Sequence, residues 1–180
     1  LDDTGSGDVR VPRGFLCRGR EEIREAWRRL GDASVALKEV SSSGGVGVHF
    51  LHNEADLDEL EVGNEEIIVE EDLRLRHTHL QFLTIHYEGN QMGPVMEQQF
   101  MRDASGQQGT LYSGSRTIAQ NTSVVQRIRD GMQRVVTRLS PHHLGGFDVA
   151  VGDNEALYIL DVNSARFNGS HTAIAAMRWR

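Results

Sequence analysis

Apolar positions in this chain fall at two spacings, every second residue or every third to fourth, and the changes between them mark out its elements. Residues 11–17 read as a short strand. Over residues 20–30 Ile23, Ala26, Trp27 and Leu30 recur on one helical face, Glu21 and Glu22 open the first turn, and Gly31 stops the helix. Residues 34–40 form an apolar strand interrupted by Lys38, the small-residue run 41–47 follows, and Val48 to Leu51 returns as a second strand. Asn53 caps a short helix over residues 53–60 with Leu57 and Leu60 on its inner side. Residues 66–71 are a buried strand that turns acidic at its end. Three extended stretches, 80–87, 95–101 and 110–113, are separated by turns at Gly89-Asn90 and Ser105-Gly106. The longest helix, 121–139, places Val124, Val125, Ile128, Met132, Val135, Val136 and Leu139 at helical spacing and most of its arginines on the other side. A last short helix is expected over 172–177. Helices mixed with hairpins indicate an α+β fold with no internal repeat.

The most informative stretch is 145–166. Two runs rich in apolar and β-branched residues flank Gly152-Asp153-Asn154, which is the sequence form of a β-hairpin. Residues two apart in a strand share a face, so Asp161 and Asn163 project together, and Asp148 on the partner strand comes within cross-strand reach. Two carboxylates and an amide oxygen on a rigid hairpin suit Mg²⁺ that also takes substrate oxygens. A plain hairpin with its Asp residues in water is the competing reading.

Composition narrows the classes. A length of 180 residues allows one domain or two small lobes with a real core. A formal charge of −7 argues against nucleic acid as the main partner. The single Cys17 cannot form an internal disulfide, and no apolar run reaches a membrane span, so no membrane partner and a reducing, cytoplasmic location are expected. Opening on Leu1-Asp2-Asp3 without an initiator Met, the chain reads as a piece of a longer protein, with residues 1–10 a flexible arm or linker remnant. Of 19 basic residues only Lys38 is a lysine. It directly precedes a loop, Ser41-Ser42-Ser43-Gly44-Gly45-Val46-Gly47, whose backbone N–H groups can close over an anion. The loop lacks the order of a Walker loop or of a dinucleotide fingerprint, and a mobile surface turn beside a snorkelling lysine stays open as the alternative.

Ala36-Leu37-Lys38 with this loop, the Ile67-Ile68-Val69-Glu70-Glu71 strand, Phe147-Asp148 and Leu160-Asp161-Val162-Asn163 resemble, in motif and order, the ATP-grasp superfamily over roughly residues 11–177. The resemblance implies a two-lobed α+β fold with mostly antiparallel sheets and an ATP cleft between the lobes. It implies a small lobe over 11–71 carrying the phosphate lid, and a C-terminal lobe over 72–180 carrying the metal site and truncated at its end. Lys38 would contact the α/β phosphates, and Ser43, Gly44, Gly45 and Gly47 would form the lid. Glu70, Glu71 and Leu73 would read adenine, largely by backbone groups, with His77 near the ribose. Asp148, Asp161 and Asn163 match the metal triad for Mg²⁺ or Mn²⁺. Arg166 matches the basic residue that steadies the transferred phosphate, and Lys38 shares that charge-stabilising role. Arg116 and Ser170 are the candidate substrate contacts.

The function implied is that of an ADP-forming ligase that uses ATP to activate a small carboxylate as an acyl phosphate for attack by an amine, of the amino-acid or peptide ligase kind. A carboxylase or carbamoyl-phosphate-type domain is an alternative. So is a catalytically weak nucleotide-binding module, because Val46 stands where the family commonly has a cation and no lysine precedes Val11-Pro12. Arg166 also lies one residue further from Asn163 than in the Asn-x-Arg form. His77-x-His79 could face a transition metal but reads better as structural or ribose-facing. No Gly-x-Ser-x-Gly motif supports a serine hydrolase.

Overall fold

The structure, a computed structural model, describes residues 9–42, 44–102, 108–139 and 144–163. Its elements in chain order are β1 (Val9–Arg10), β2 (Gly14–Arg18), α1 (Gly19–Leu30), β3 (Val35–Glu39), β4 (Val48–Leu51), α2 (Glu54–Glu59), β5 (Glu66–Glu71) and α3 (Leu73–Arg76). There follow β6 (Gln81–Glu88), β7 (Gln91–Arg102), β8 (Gln108–Thr117), α4 (Ser123–Leu139), β9 (Leu144–Val151), a 3-10 turn at Asp153–Glu155 and β10 (Leu157–Asn163). The fold is α+β with mostly antiparallel sheets. The chain forms two units, and the division is not a single cut: one comprises Pro12–Thr78 and Phe100–Tyr112, the other Leu1–Val11, His79–Gln99 and Ser113–Arg180. The expected helix at 172–177 and the turn at Ser105-Gly106 lie outside the described residues.

The first unit is built on a four-stranded antiparallel sheet in the order β2-β5-β3-β4. Its alternation buries Cys17, Val35, Leu37, Leu51, Ile67 and Val69 against Ile23, Ala26 and Leu30 of α1 and Leu57 of α2. Each of the Val, Leu and Ile side chains here, fully buried, contributes about 1.5–3 kcal/mol. The helix α1 ends where Gly31 takes a left-handed φ of 69° and its N–H bonds to the Trp27 carbonyl. The cap expected at Asn53 is a full capping box with Asp56. By register, the sheet face away from these helices carries Leu16, Ala36, Lys38, Ile68 and Glu70.

The second unit has a six-stranded sheet in the order β1-β10-β9-β6-β7-β8. The long helix α4 covers one face, where Val125, Ile128, Met132 and Val136 meet Leu83, Ile85, Tyr87, Val95, Phe147, Val149, Leu157 and Ile159. Val9 and Arg10, read from sequence as the end of a flexible arm, instead form β1, parallel to Leu157 and Tyr158 of β10. The reason is packing. Val9 joins this core, and Gly131 of α4 leaves the space for it, since a Cβ there would lie 2.7 Å from Val9 Cγ2.

Candidate functional site

The acidic hairpin is shaped by one extra residue. Leu157 and Ile159 point into the core with Val149 opposite Ile159, yet the next pair in register is Asp148 with Asp161. Leu160 is therefore a β-bulge. Strict alternation would have sent Asp161 and Asn163 to the α4 side with Leu157 and Ile159. The bulge turns them to the opposite side, where Asp148 points. Two cross-strand rows result, Thr84–Asp148–Asp161 and His86–Gly146–Asn163.

In the first row the Asp148 carboxylate accepts from the Gln98 amide at 2.6 Å on Oδ1 and from the Asn163 amide at 3.3 Å on Oδ2. Asn163 is buried, Asp148 half-buried and Asp161 exposed. In the second row the His86 ring lies over Gly146, where an added Cβ would sit 2.9 Å from His86 Cδ2. Burial pushes the His86 pKa down to about 4, so the imidazole is neutral at physiological pH.

The donor set fits Mg²⁺. Carboxylates directly opposite each other on neighbouring strands repel, and a cation shared by Asp148 and Asp161 would offset that cost. Turning the Asn163 amide over exchanges its donor for an oxygen, which completes a set of hard oxygen ligands with room left for substrate oxygens. Among the described residues no three His, Cys, Asp or Glu side chains cluster, so nothing gathers a third such ligand around His77 and His79.

In the four-stranded unit Lys38 sits diagonally across from Glu70, Lys38 opposite Ile68 and Ala36 opposite Glu70, and the two side chains form an ion pair. Burial pushes the Glu70 pKa up, while the Lys38 charge pulls it partly back. The neighbouring loop is more tied than a free turn. The Tyr112 N–H donates to the Gly44 carbonyl at 2.9 Å, the Val48 N–H to Gly45, and the Ser42 hydroxyl to the Glu39 carbonyl. Gly45 is required twice over, by its φ of 81° and because a Cβ there would meet the Thr110 carbonyl oxygen at 2.0 Å. Gly47 is crowded only by side chains, those of Ser42 and Glu39.

The turn from β5 into α3 is clamped by charge. Glu71 accepts from the Arg13 backbone N–H at 3.0 Å and its Nε at 3.2 Å, and pairs with Arg76 at 2.7 Å. Arg13 and Arg76 also reach Asp32. Asp72, 2% exposed, accepts from Ser34 Oγ and from the Arg74 backbone and guanidinium. Burial pushes its carboxyl up, but the hydrogen bonds from Arg74 and Ser34 outweigh that and hold it below the usual carboxylate range. The Glu71 side chain is thus engaged in fixing the segment's backbone. Leu73 is buried in the turn, and the His77 N–H closes α3 on the Leu73 carbonyl.

Arg116 is placed elsewhere. It pairs with Glu97, which lies opposite core-facing Leu83, whereas its strand neighbour Gln98 reaches Asp148 on the other face. Ser43, Arg166 and Ser170 lie outside the described residues. Sequence reasoning missed Gln98 and the clamp made by Arg13, Arg74 and Arg76. Nothing in the sequence marks Gln98 out from the other polar positions of its strand, and the clamp joins residues far apart along the chain.

No family model and no curated protein matches the sequence. Solved structures do match its shape. A D-alanine–D-alanine ligase from Bacillus anthracis superposes with a TM-score of 0.65 at 14% identity, over 94% of this chain and 58% of that one. An ADP complex of N5-carboxyaminoimidazole ribonucleotide synthetase gives 0.67 at 19%, over 91% and 42%. The ATP-grasp ligase PsnB, complexed with a minimal precursor, Mg and ADP, gives 0.60 at 15%, over 91% and 48%. The chain therefore spans about half the length of the structures it resembles. At these identities the likeness speaks to architecture, and the architecture is unambiguous: this chain has the ATP-grasp fold.

Proposed function

We propose that this chain belongs to an ATP- and Mg²⁺-dependent ligase that joins a small carboxylate to an amine and releases ADP. The observation that carries this reading is the convergence of Asp148, Asp161 and Asn163 on one side of the β9–β10 hairpin, brought about by the bulge at Leu160. These three would hold Mg²⁺, which when bound draws charge from phosphate oxygens. A carboxylate oxygen attacks the γ-phosphorus, the bond to the β–γ bridging oxygen breaks and ADP leaves. The amine then attacks the acyl carbon, loses a proton and expels inorganic phosphate. Lys38 would contribute a cation toward the nucleotide phosphates, the loop containing Gly44, Gly45 and Gly47 would supply backbone donors, and Ser43 and Arg166 would add a donor and a second cation. The backbone of residues 70–73, which Glu71 and Asp72 brace, would read adenine beside His77. Ser170 is assigned to the carboxylate substrate from the resemblance alone, and Arg116, which the resemblance also offers, is left out because Glu97 holds it on the face away from Asp148.

A second reading, a nucleotide-binding module with weak catalysis, is favoured by one observation: Lys38 is already held by Glu70, so a nucleotide has to compete for its charge. One experiment separates the two. Full-length protein given ATP, Mg²⁺ and a panel of amino acids and short peptides should release ADP and phosphate only with an acceptable carboxylate, and ¹⁸O from that carboxylate should appear in the phosphate. AMP and pyrophosphate would instead mean adenylation, and ATP binding without turnover would favour the module.

A further inference from the structure

Two amides, Gln98 and Asn163, donate to the same carboxylate, and their geometry separates their roles. Nitrogen must face Asp148 in both, because an amide oxygen turned toward a carboxylate would repel it. The Gln98 bond, at 2.6 Å, is short for an N–H donor, whereas the Asn163 bond, at 3.3 Å, is beyond the usual range and the easier to give up. They also meet different oxygens, Gln98 on Oδ1 and Asn163 on Oδ2.

We infer that Gln98 is a positioning residue for the cation site: its amide fixes Asp148 through Oδ1, with or without a bound cation, while Asn163 releases Oδ2 and turns its own oxygen inward. This rests on the reading of Asp148, Asp161 and Asn163 as cation ligands. The physical reason is that Asp148 lies on a strand whose backbone fixes the Cα but leaves the carboxylate to rotate. A strong donor on one oxygen selects the rotation that aims the other oxygen toward Asp161 in the next strand. An amide suits the task better than a cation, because it orients the carboxylate without cancelling the charge that attracts a metal.

The strand geometry also supplies a control. Gln81 makes a comparable amide–carboxylate bond, 3.1 Å to Glu97, and Glu97 lies on the opposite face of the sheet from Gln98. Mn²⁺ binding to the full-length protein, followed by the loss of its free-ion paramagnetic resonance signal, should be abolished in Asp148→Asn and weakened about 10- to 100-fold in Gln98→Met, the usual effect of losing an outer partner of a metal ligand. Gln81→Met should bind as wild type does. Where Gln98→Met fails to fold, the wild type answers alone: adding Mg²⁺ should shift the side-chain amide NMR signal of Gln98 and leave that of Gln81 in place. Wild-type protein that binds no Mn²⁺, or binds it equally well as Asp148→Asn, overturns the cation site itself. A site lost in Asp148→Asn but unchanged within twofold in Gln98→Met, or an unmoved Gln98 signal, overturns the positioning role alone.

Discussion

The acidic groups around β5 and α3 in one unit and those of the β9–β10 hairpin in the other handle charge in different ways. In the first cluster each acid is matched with a cation: Glu70 with Lys38, Glu71 and Asp32 with Arg13 and Arg76, Asp72 with Arg74. In the six-stranded unit Asp148 is met by the amides of Gln98 and Asn163, and Asp161 stands directly across from it. Amides satisfy hydrogen bonds without themselves removing charge, and the two carboxylates face each other across the strands. The first arrangement braces a backbone, and the second is suited to gathering a divalent cation.

The largest effect should come from the facing carboxylates of the hairpin. Asp161→Asn in the full-length protein is expected to lower kcat by about a hundredfold or more, the scale of removing one electrostatic stabiliser. Its melting temperature should stay level or rise, since the repulsion with Asp148 disappears. Unchanged turnover would reduce Asp161 to a surface residue.

The buried imidazole beside the hairpin offers a pH test. His86 is neutral in the fold down to about pH 4, whereas an unfolded histidine protonates near 6.5. As pH falls the unfolded state takes up its proton first, so this contribution to stability is full above about 6.5 and is lost toward 4. Urea unfolding should show a loss of about 2 kcal/mol between pH 7 and pH 5 that is absent in His86→Phe. Equal pH dependence in the two proteins would mean that His86 does not carry it.

Lys38→Ala should weaken Mg²⁺-ATP binding by about 1–3 kcal/mol in calorimetry, the range for a charged hydrogen bond. It should also destabilise the protein by leaving the Glu70 carboxylate buried beside an alanine. The double variant Lys38→Ala, Glu70→Gln is expected to recover stability but not affinity. Recovery of both would show the lysine acting only as a partner for Glu70.

The smallest effect is expected at Arg116, whose pair with Glu97 is solvent-exposed on the arginine side. Arg116→Ala should cost less than about 1 kcal/mol of stability. The half-saturating carboxylate concentration should change little, because Glu97 holds Arg116 on the face away from Asp148. A tenfold rise would instead restore Arg116 as a substrate contact.

The sequence by itself determined most of the elements, because their signals are local. Spacing of Ile23, Ala26 and Leu30 makes α1, Gly31 ends it, Asn53 caps α2, and the strands Val48–Leu51 and Glu66–Glu71 stand where alternation and flanking residues put them. It also determined that Asp161 and Asn163 share a face, since that follows from the period of a strand. Which face they share was decided only by tertiary structure. The same period in Leu157-Tyr158-Ile159 leads into the core, and the bulge at Leu160 that reverses it comes from the pairing of β10 with β9, which no residue type in the segment announces. The pairing of Lys38 with Glu70 and the reach of Gln98 to Asp148 have the same origin. Each joins residues far apart in the chain through strand register, and register is set by how two apolar faces pack rather than by the polar residues it brings together.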